Sequence, residues 1–198
     1  MPEFFDVVLG QRAHRDLLPD PLPDEVVERL LLAATHAPSA ENRQPWAFVV
    51  VRDPDVRAAI GDLTRAVWEG GARDFVRGRL GARLFADVDR WATGGLARAP
   101  VVVVVCGDTS AAEPGALAAS LYPATQNLLL AAQALGLGAL LSTLPTVRHD
   151  DLAALLELPA HLRAMAVVPI GRPARALPAP RRIPVRDKAF RDRYGRRW

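Results

Sequence analysis

The chain has 198 residues, half of them hydrophobic, which is enough to bury the core of one domain. Its 25 basic residues barely outnumber its 22 acidic ones. Such a mild balance disfavours a nucleic-acid groove, which needs a continuous basic stripe, and fits local arginine clusters that bind an anionic small molecule. Cys106 is the single cysteine, so an intramolecular disulfide and a zinc site built on thiolates are excluded, and no metal site is expected.

The first third of the chain predicts helices and a strand joined by polar loops. Residues Phe4 to Leu9 predict a short apolar helix, and hydrophobic residues recur at helical spacing from Asp24 to about His36. The apolar run Trp46 to Val51 predicts a strand. Asp53 is placed to cap a helix that begins at Pro54.

Residues 62–98 lack a clean hydrophobic period, and we interpret them as a mobile helical region. Large aromatic side chains dominate packing wherever they occur. Those of this region either anchor it to the core or form a lid over a substrate; they are Trp68, Phe75, Phe85 and Trp91.

The second half begins with a continuous apolar run, Val101 to Cys106, which predicts a strand covered on both faces and an inert, buried thiol. Ala116 to Leu135 predicts the longest helix, apolar nearly all round, with Gly136 after its end. Shorter segments predict a strand at 139–142, a helix at 150–156 and a last strand at 164–170. Residues 172–198 form an extended C-terminal arm rich in proline and arginine. Few, irregularly spaced strands among helices predict an α+β sandwich of one domain over 1–198.

The first ten residues, MPEFFDVVLG, give no sign of a targeting segment. They lack a positively charged start and a long apolar core, and no apolar run of the chain approaches a membrane span. We therefore expect a cytoplasmic protein.

Clustered arginines predict a ligand with a phosphate group, because each guanidinium can offer phosphate a bidentate, charge-assisted pair. The candidates are Arg12, Arg15 and Arg182. The alternative, which composition leaves open, is that these arginines are solvated surface charges.

The loop APSAENRQPW, residues 37–46, predicts contacts to a planar ring. It offers the Ser39 hydroxyl and the amides of Asn42 and Gln44, and an amide can both donate to and accept from the edge of a heteroaromatic ring. A plain turn whose polar side chains satisfy their own backbone is the open alternative.

Four segments, in order, resemble the nitroreductase family of flavin enzymes. QRAHR, residues 11–15, resembles the family's R-R-S-x-R pattern, and APSAENRQPW matches its A-P-S-x-x-N-x-Q-P-W loop almost letter for letter. Residues 123–145 are similar to its central helix and the loop after it, and residues 169–185 to its closing strand and arm. Only residues 62–98 match poorly. One such motif is a weak signal, whereas four in the right order are a strong one.

The resemblance implies a nitroreductase-like sandwich, whose mixed or antiparallel central sheet is flanked by helices, and a homodimer with two FMN sites at the subunit interface. Residues that would line the phosphate and pyrimidine side are Arg12, Ala13 and Arg15, with Arg182 closing on the phosphate. Those that would lie against the ring near its reactive edge are Ser142, Thr143 and Leu144. The other subunit would contribute Pro38, Ser39, Ala40 and Asn42. The long apolar helix would pack against its dimer mate.

The reaction that the resemblance implies is ping-pong oxidoreduction, in which NAD(P)H reduces FMN, the nicotinamide leaves, and an electron-poor acceptor such as a nitroaromatic or a quinone takes the electrons. No catalytic side chain is then required, because the cofactor carries the chemistry. No G-x-G-x-x-G follows a strand, so we expect NAD(P)H to share the flavin pocket. His14 lies nearest to this site in sequence and is expected to face solvent.

Two departures from the family pattern leave alternatives open. Gln11 stands where many relatives have Arg, and Ala13 where many have Ser. Both departures are expected to weaken flavin binding, and they leave open the alternative that the chain is a non-catalytic flavin-binding protein. The other alternative is a flavin-destroying or dehalogenating enzyme on the same scaffold. Such relatives carry particular acidic, tyrosine and lysine residues in the mobile region, and residues 62–98 offer no convincing counterpart.

Overall fold

The valine run forms the middle of a four-stranded sheet in the computed structural model, which describes residues 2–198. It lies in β2 (Val101–Asp108), which pairs with β1 (Trp46–Val51) on one side and with β4 (Leu162–Gly171) on the other. β3 (Gly138–Ala139) pairs with the far edge of β4, so the order is β1-β2-β4-β3. These strands all pair antiparallel, and the predicted α+β class is confirmed.

Helices cover both faces of the sheet, because alternate side chains of a strand point to opposite sides. The odd-numbered valines of β2 pack with α2 (Asp24–Thr35) and α6 (Pro114–Ala134). The even-numbered ones pack, together with Cys106, against α3 (Pro54–Val67) and α7 (His149–Leu155). The prediction of a strand covered on both faces is confirmed.

Cys106 is fully buried in the second of these layers. Burial raises the pKa of its thiol to about 11, and the sulfur lies 3.9 Å from the Val104 carbonyl oxygen. The group therefore stays a protonated thiol at neutral pH, which agrees with the predicted inert cysteine.

The ends of α3 and α6 are set by residues close to them in the sequence. The Asp53 carboxylate accepts from the backbone amides of Asp55 at 2.8 Å and Val56 at 3.0 Å, so it caps α3 as predicted. α6 begins at Pro114, two residues before the predicted start, because proline is favoured in the first turn. Gly136 follows its end with a φ of 70°, which suits glycine. The N-terminal helix, α1, spans Phe4–Gly10.

The predicted strand 139–142 is only partly correct. β3 covers Gly138–Ala139, and beyond it Ser142 forms a single bridge with Val167 of β4. In the described part of the chain, no helix combines the length and the apolar character needed to cross a bilayer.

Residues 62–98 are helical, as predicted. After α3, a π-helical turn (Trp68–Ala72) leads into α4 (Arg73–Val76), then α5 (Ala82–Arg90) and a second π-helical turn (Trp91–Gly95). Both turns begin with a buried tryptophan, which anchors the region to the core. Phe75 is 63% exposed and lies under the Arg79 guanidinium, so the anchoring role is wrong for this residue.

The C-terminal arm begins by pairing with this chain's own N-terminal loop. The Leu18 amide donates to the Arg172 carbonyl at 2.8 Å, and the Ala174 amide donates to the Asp16 carbonyl at 3.0 Å. Leu17 and Pro173 form the antiparallel bridge between these two bonds. Beyond Pro178 the arm is mostly exposed.

Gly107 of β2 lets α6 approach the sheet, since a Cβ at this position would lie 2.9 Å from side-chain atoms of Leu117 and Leu121. We expect Gly107→Ala to lower the free energy of unfolding by about 1–3 kcal/mol, as overpacking does, and urea denaturation measures the loss. Gly115→Ala, in α6 itself, is the matched control, because nothing lies within 4 Å of the Cβ it would add. Equal losses in both variants would contradict this explanation.

Candidate functional site

One group of predicted site residues lies where the N-terminal loop crosses the end of β3. Ala13 forms a bridge with Ala139, and the His14 backbone amide donates to the Ala139 carbonyl at 3.0 Å. A Cβ on Gly138 would lie 2.8 Å from the His14 Cβ, so glycine permits this close crossing. Ala13 and Leu144 pack on the same hydrophobic cluster. We call this group the arginine half; it consists of Arg12, Ala13, Arg15, Ser142, Thr143 and Leu144.

Ser142 ties the arginine half to the sheet. Its backbone exchanges two 2.9 Å hydrogen bonds with Val167, and its buried hydroxyl accepts from the Leu144 amide at 3.1 Å. The turn leaves Thr143 exposed, and its backbone amide donates to no acceptor within residues 2–198. The turn therefore offers a ligand a free donor beside the apolar Leu144.

The second group, which we call the amide half, lies in the loop after α2 and consists of Pro38, Ser39, Ala40 and Asn42. The Ser39 hydroxyl accepts from the Gln44 amide at 3.0 Å, and the Ser120 hydroxyl of α6 accepts from the Ala40 amide at 3.2 Å. The Ser39 hydroxyl thus bonds to the backbone of its own loop, as expected if the loop is a plain turn. The side-chain amide of Asn42 is exposed and bonds to nothing within residues 2–198, so it is available to a ligand.

The amide half is strained. Glu41, Asn42 and Gln44 have φ angles of 53°, 54° and 50°, in the left-handed region that side chains other than glycine rarely adopt. Each such residue costs about 1 kcal/mol or more, and residues of this kind concentrate at functional sites. A cleft of ≈ 310 Å³ opens beside them, between residues 40–43 and 109–116.

The two halves lie at opposite ends of α6. The amide half is bonded to Ser120, in the second turn of the helix, whereas the arginine half crosses β3, just after the helix ends at Ala134. At 1.5 Å per residue, these two positions are about 21 Å apart along the helix axis. One chain therefore does not bring the predicted site together.

Arg15 carries an unusual charge environment. Burial, and then the neighbouring Arg12, lower its pKa, while Asp87 raises it. Arg15 takes part in no ion pair within residues 2–198; Asp87 pairs instead with Arg90 and Arg175. A partly desolvated guanidinium of this kind is suited to an anionic ligand.

Two predictions about side chains here need correction or stay untested. His14 is half-buried, and burial followed by the charge of Arg12 lowers its pKa, so the expectation that it faces solvent is wrong. Arg182 is exposed, and its hydrogen bond goes to the adjacent Arg181 carbonyl, so nothing in the described residues ties it to the arginine half.

Sequence reasoning missed two charged residues beside the arginine half. Asp87 of α5 and Arg175 of the arm line a small cavity together with Arg15, and their charged atoms lie 2.9 Å apart. They are 88 positions apart in the chain, and although Arg175 lies in the family-like segment 169–185, Asp87 lies in the region that matches the family poorly. No sequence signal could have found this pair.

The chain is similar in sequence to known proteins. The sequence model of the Nitroreductase family matches residues 8–172. Iodotyrosine deiodinase 1 of Rattus norvegicus is 29% identical over 189 residues, which are 90% of this chain and 65% of the rat protein. A protein of Archaeoglobus fulgidus named "Putative NADH dehydrogenase/NAD(P)H nitroreductase" is 30% identical over 185 residues, 87% of each chain.

A solved structure has the same fold along nearly the whole chain. It is oxidized iodotyrosine deiodinase bound to FMN and 3-iodo-L-tyrosine, 25% identical, with a TM-score of 0.76 over 98% of this chain and 99% of that one. The family match covers both halves of the candidate site and the sheet between them. This chain belongs to the nitroreductase family.

Proposed function

We propose that this chain is an FMN-dependent oxidoreductase that passes electrons from NAD(P)H, by a ping-pong mechanism, to an electron-poor acceptor such as a nitroaromatic or a quinone. The observation that carries the proposal is the partly buried guanidinium of Arg15, which has no ion-pair partner in residues 2–198 and lies on the loop that resembles the family's basic pattern. The relative solved with FMN and the Archaeoglobus fulgidus relative, whose name includes an NAD(P)H nitroreductase, support it.

The donor set fits FMN. A phosphate monoester carries close to two negative charges, and Arg12 and Arg15 supply two cations on one short loop. The free amides of Thr143 and Asn42 suit a ring edge that alternates donors and acceptors, and Ala13 and Leu144 offer apolar surface to the ring face. FMN, when bound, accepts hydride from a nicotinamide and returns electrons to an acceptor. The protein's part is to bind, to orient and to exclude water.

A homodimer completes the site. If two α6 helices pack antiparallel about a twofold axis, the amide half of one subunit meets the arginine half of its partner, and the separation of about 21 Å along α6 is removed. The outer surface of α6, which includes Tyr122 at 42% exposed, and the exposed α1 residues Phe4 and Phe5 supply apolar area for such an interface.

A dehalogenating enzyme is the second candidate, favoured by the likeness to iodotyrosine deiodinases over 90% of this chain. Residues 62–98, however, contain no lysine and no tyrosine. Within them, the Trp68 ring nitrogen and Arg73 both donate to Asp89, so this carboxylate is already engaged. Release of iodide from 3-iodo-L-tyrosine by the reduced, FMN-loaded protein would favour this candidate over the first.

The absorbance spectrum of the purified protein, recorded before and after NADH or NADPH is added without oxygen, tests the proposal. We expect a flavin band that bleaches with at least one donor and returns on addition of a quinone or air. A band that no nicotinamide bleaches would favour a non-catalytic flavin-binding protein. No band after incubation with FMN would overturn the flavin assignment itself.

Mixed dimers test whether the site is shared between subunits. We expect Arg15→Ala and Asn42→Ala each to weaken FMN binding by about tenfold or more, since each removes a direct contact. After subunit exchange, a heterodimer of the two variants has one site with both residues intact, so about half of its sites should regain wild-type affinity by flavin fluorescence quenching. If both residues served the same chain's site, mixing would restore none.

Arg182→Ala should lower FMN affinity by about tenfold and leave the unfolding midpoint unchanged, because the residue is exposed and a guanidinium bond to phosphate stabilises by about 1.5–3 kcal/mol. Arg181→Ala is the matched control, since it removes an equally exposed charge one position away. Equal affinities for both variants would remove Arg182 from the site.

A further inference from the structure

The first part of the C-terminal arm and the N-terminal loop form a two-stranded ribbon. Residues Leu18 and Arg172, Leu17 and Pro173, and Asp16 and Ala174 follow one antiparallel register. Farther along the two segments, the Arg12 guanidinium donates to the Pro178 carbonyl. This ribbon is one wall of the arginine half.

Two like charges lie close together just beyond the last hydrogen bond of the ribbon. Arg15 and Arg175 adjoin Asp16 and Ala174 in sequence, and both line the same small cavity. Two cations this close repel each other, so a carboxylate that pairs with one of them is needed to offset the repulsion. Asp16 lines the cavity but takes part in no ion pair within residues 2–198.

Helix α5 supplies that group. The Asp87 carboxylate accepts from Arg175 at 2.9 Å and from Arg90, on its own helix, at 2.5 Å. Its side chain is only 20% exposed, and it lines the cavity that Arg15 and Arg175 share. The cavity, at ≈ 20 Å³, is about the size that one water needs, so the three charged groups are close to one another.

We propose that Asp87 is a positioning residue of the candidate site. Asp87 holds Arg175 in place and, through its effect on the charge of Arg15, sets how strongly this wall favours reduced over oxidised FMN. The inference rests on the proposed function. Reduced flavin with N1 deprotonated carries one more negative charge than oxidised flavin, so positive charge at the wall favours the reduced form and a carboxylate there opposes it. The lowered pKa of Arg15, caused first by burial, agrees with a cation whose surroundings screen charge poorly.

Charge-changing variants with little change of shape test this role. For Asp87→Asn we expect a midpoint potential of bound FMN more positive than in the wild type, equivalent to about a threefold to tenfold change in the ratio of the dissociation constants of oxidised and reduced FMN. For Arg175→Gln we expect a shift in the opposite direction, and for the double variant a potential near that of the wild type. Potentiometric titration of the FMN-loaded proteins measures all three.

Asp89→Asn is the matched control, because Asp89 lies on the same helix and also accepts from an arginine, Arg73, but does not line the cavity. It should lower the unfolding midpoint, since the Trp68 ring nitrogen loses its charged acceptor, and leave the potential unchanged.

The outcomes separate this inference from the function it rests on. Wild-type protein that binds no FMN would overturn both. FMN binding with potentials that do not move, or that move in the same direction in Asp87→Asn and Arg175→Gln, would overturn the role of Asp87 and leave the proposed function standing. Opposite shifts that cancel in the double variant would support an electrostatic role, because loss of folding would not produce them.

Discussion

Helix α6 packs so closely on β2 that a Cβ at residue 107 would overlap the side chains of Leu117 and Leu121, and this contact helps to fix where both halves of the site lie. The helix is anchored to the sheet near its start, where Leu117 and Leu121 meet Gly107, and it delivers the chain to β3 at its end. The amide half is bonded to the first region, and the arginine half crosses the second. Within one chain, the length of α6 therefore keeps the two halves apart.

The charged residues around the arginine half come from three segments that are far apart in the sequence. The loop after α1 supplies Arg12 and Arg15, the arm supplies Arg175, and α5 supplies Asp87. Removing any of these segments would leave like charges opposed or a carboxylate without its partner. The helical region 62–98, the poorest match to the family pattern, is therefore connected by the ion pair between Asp87 and Arg175 to the ribbon beside the arginine half. A change of charged residues in that region can therefore alter the electrostatics of the arginine half while the motif loops stay the same.

The sequence predicts whatever depends on neighbours along the chain. The apolar run at Val101 marks a doubly covered strand, Asp53 marks a helix start and Gly136 a helix end, and the structure has all three. Features that depend on residues distant in the sequence could not be predicted. The sequence near His14 does not indicate that Gly138 allows the loop to pack closely on β3. The sequence near Phe75 does not indicate that an arginine, and not the core, covers its ring. The motif loops could be located from sequence, but their separation by α6 and the pairing of Asp87 with Arg175 required the fold.

The strain in the amide half bears on whether that loop is a plain turn. Glycine would adopt the positive φ angles of residues 41, 42 and 44 without steric cost, yet none of the three is glycine, and together they cost several kcal/mol. Within the chain, hydrogen bonds from Ser39 and Ser120 hold the loop in place but leave the Asn42 amide unused. A turn needed only to connect α2 with β1 would gain from relaxing. Side chains kept at strained positions, with a free amide among them, are better explained by a ligand that those side chains contact.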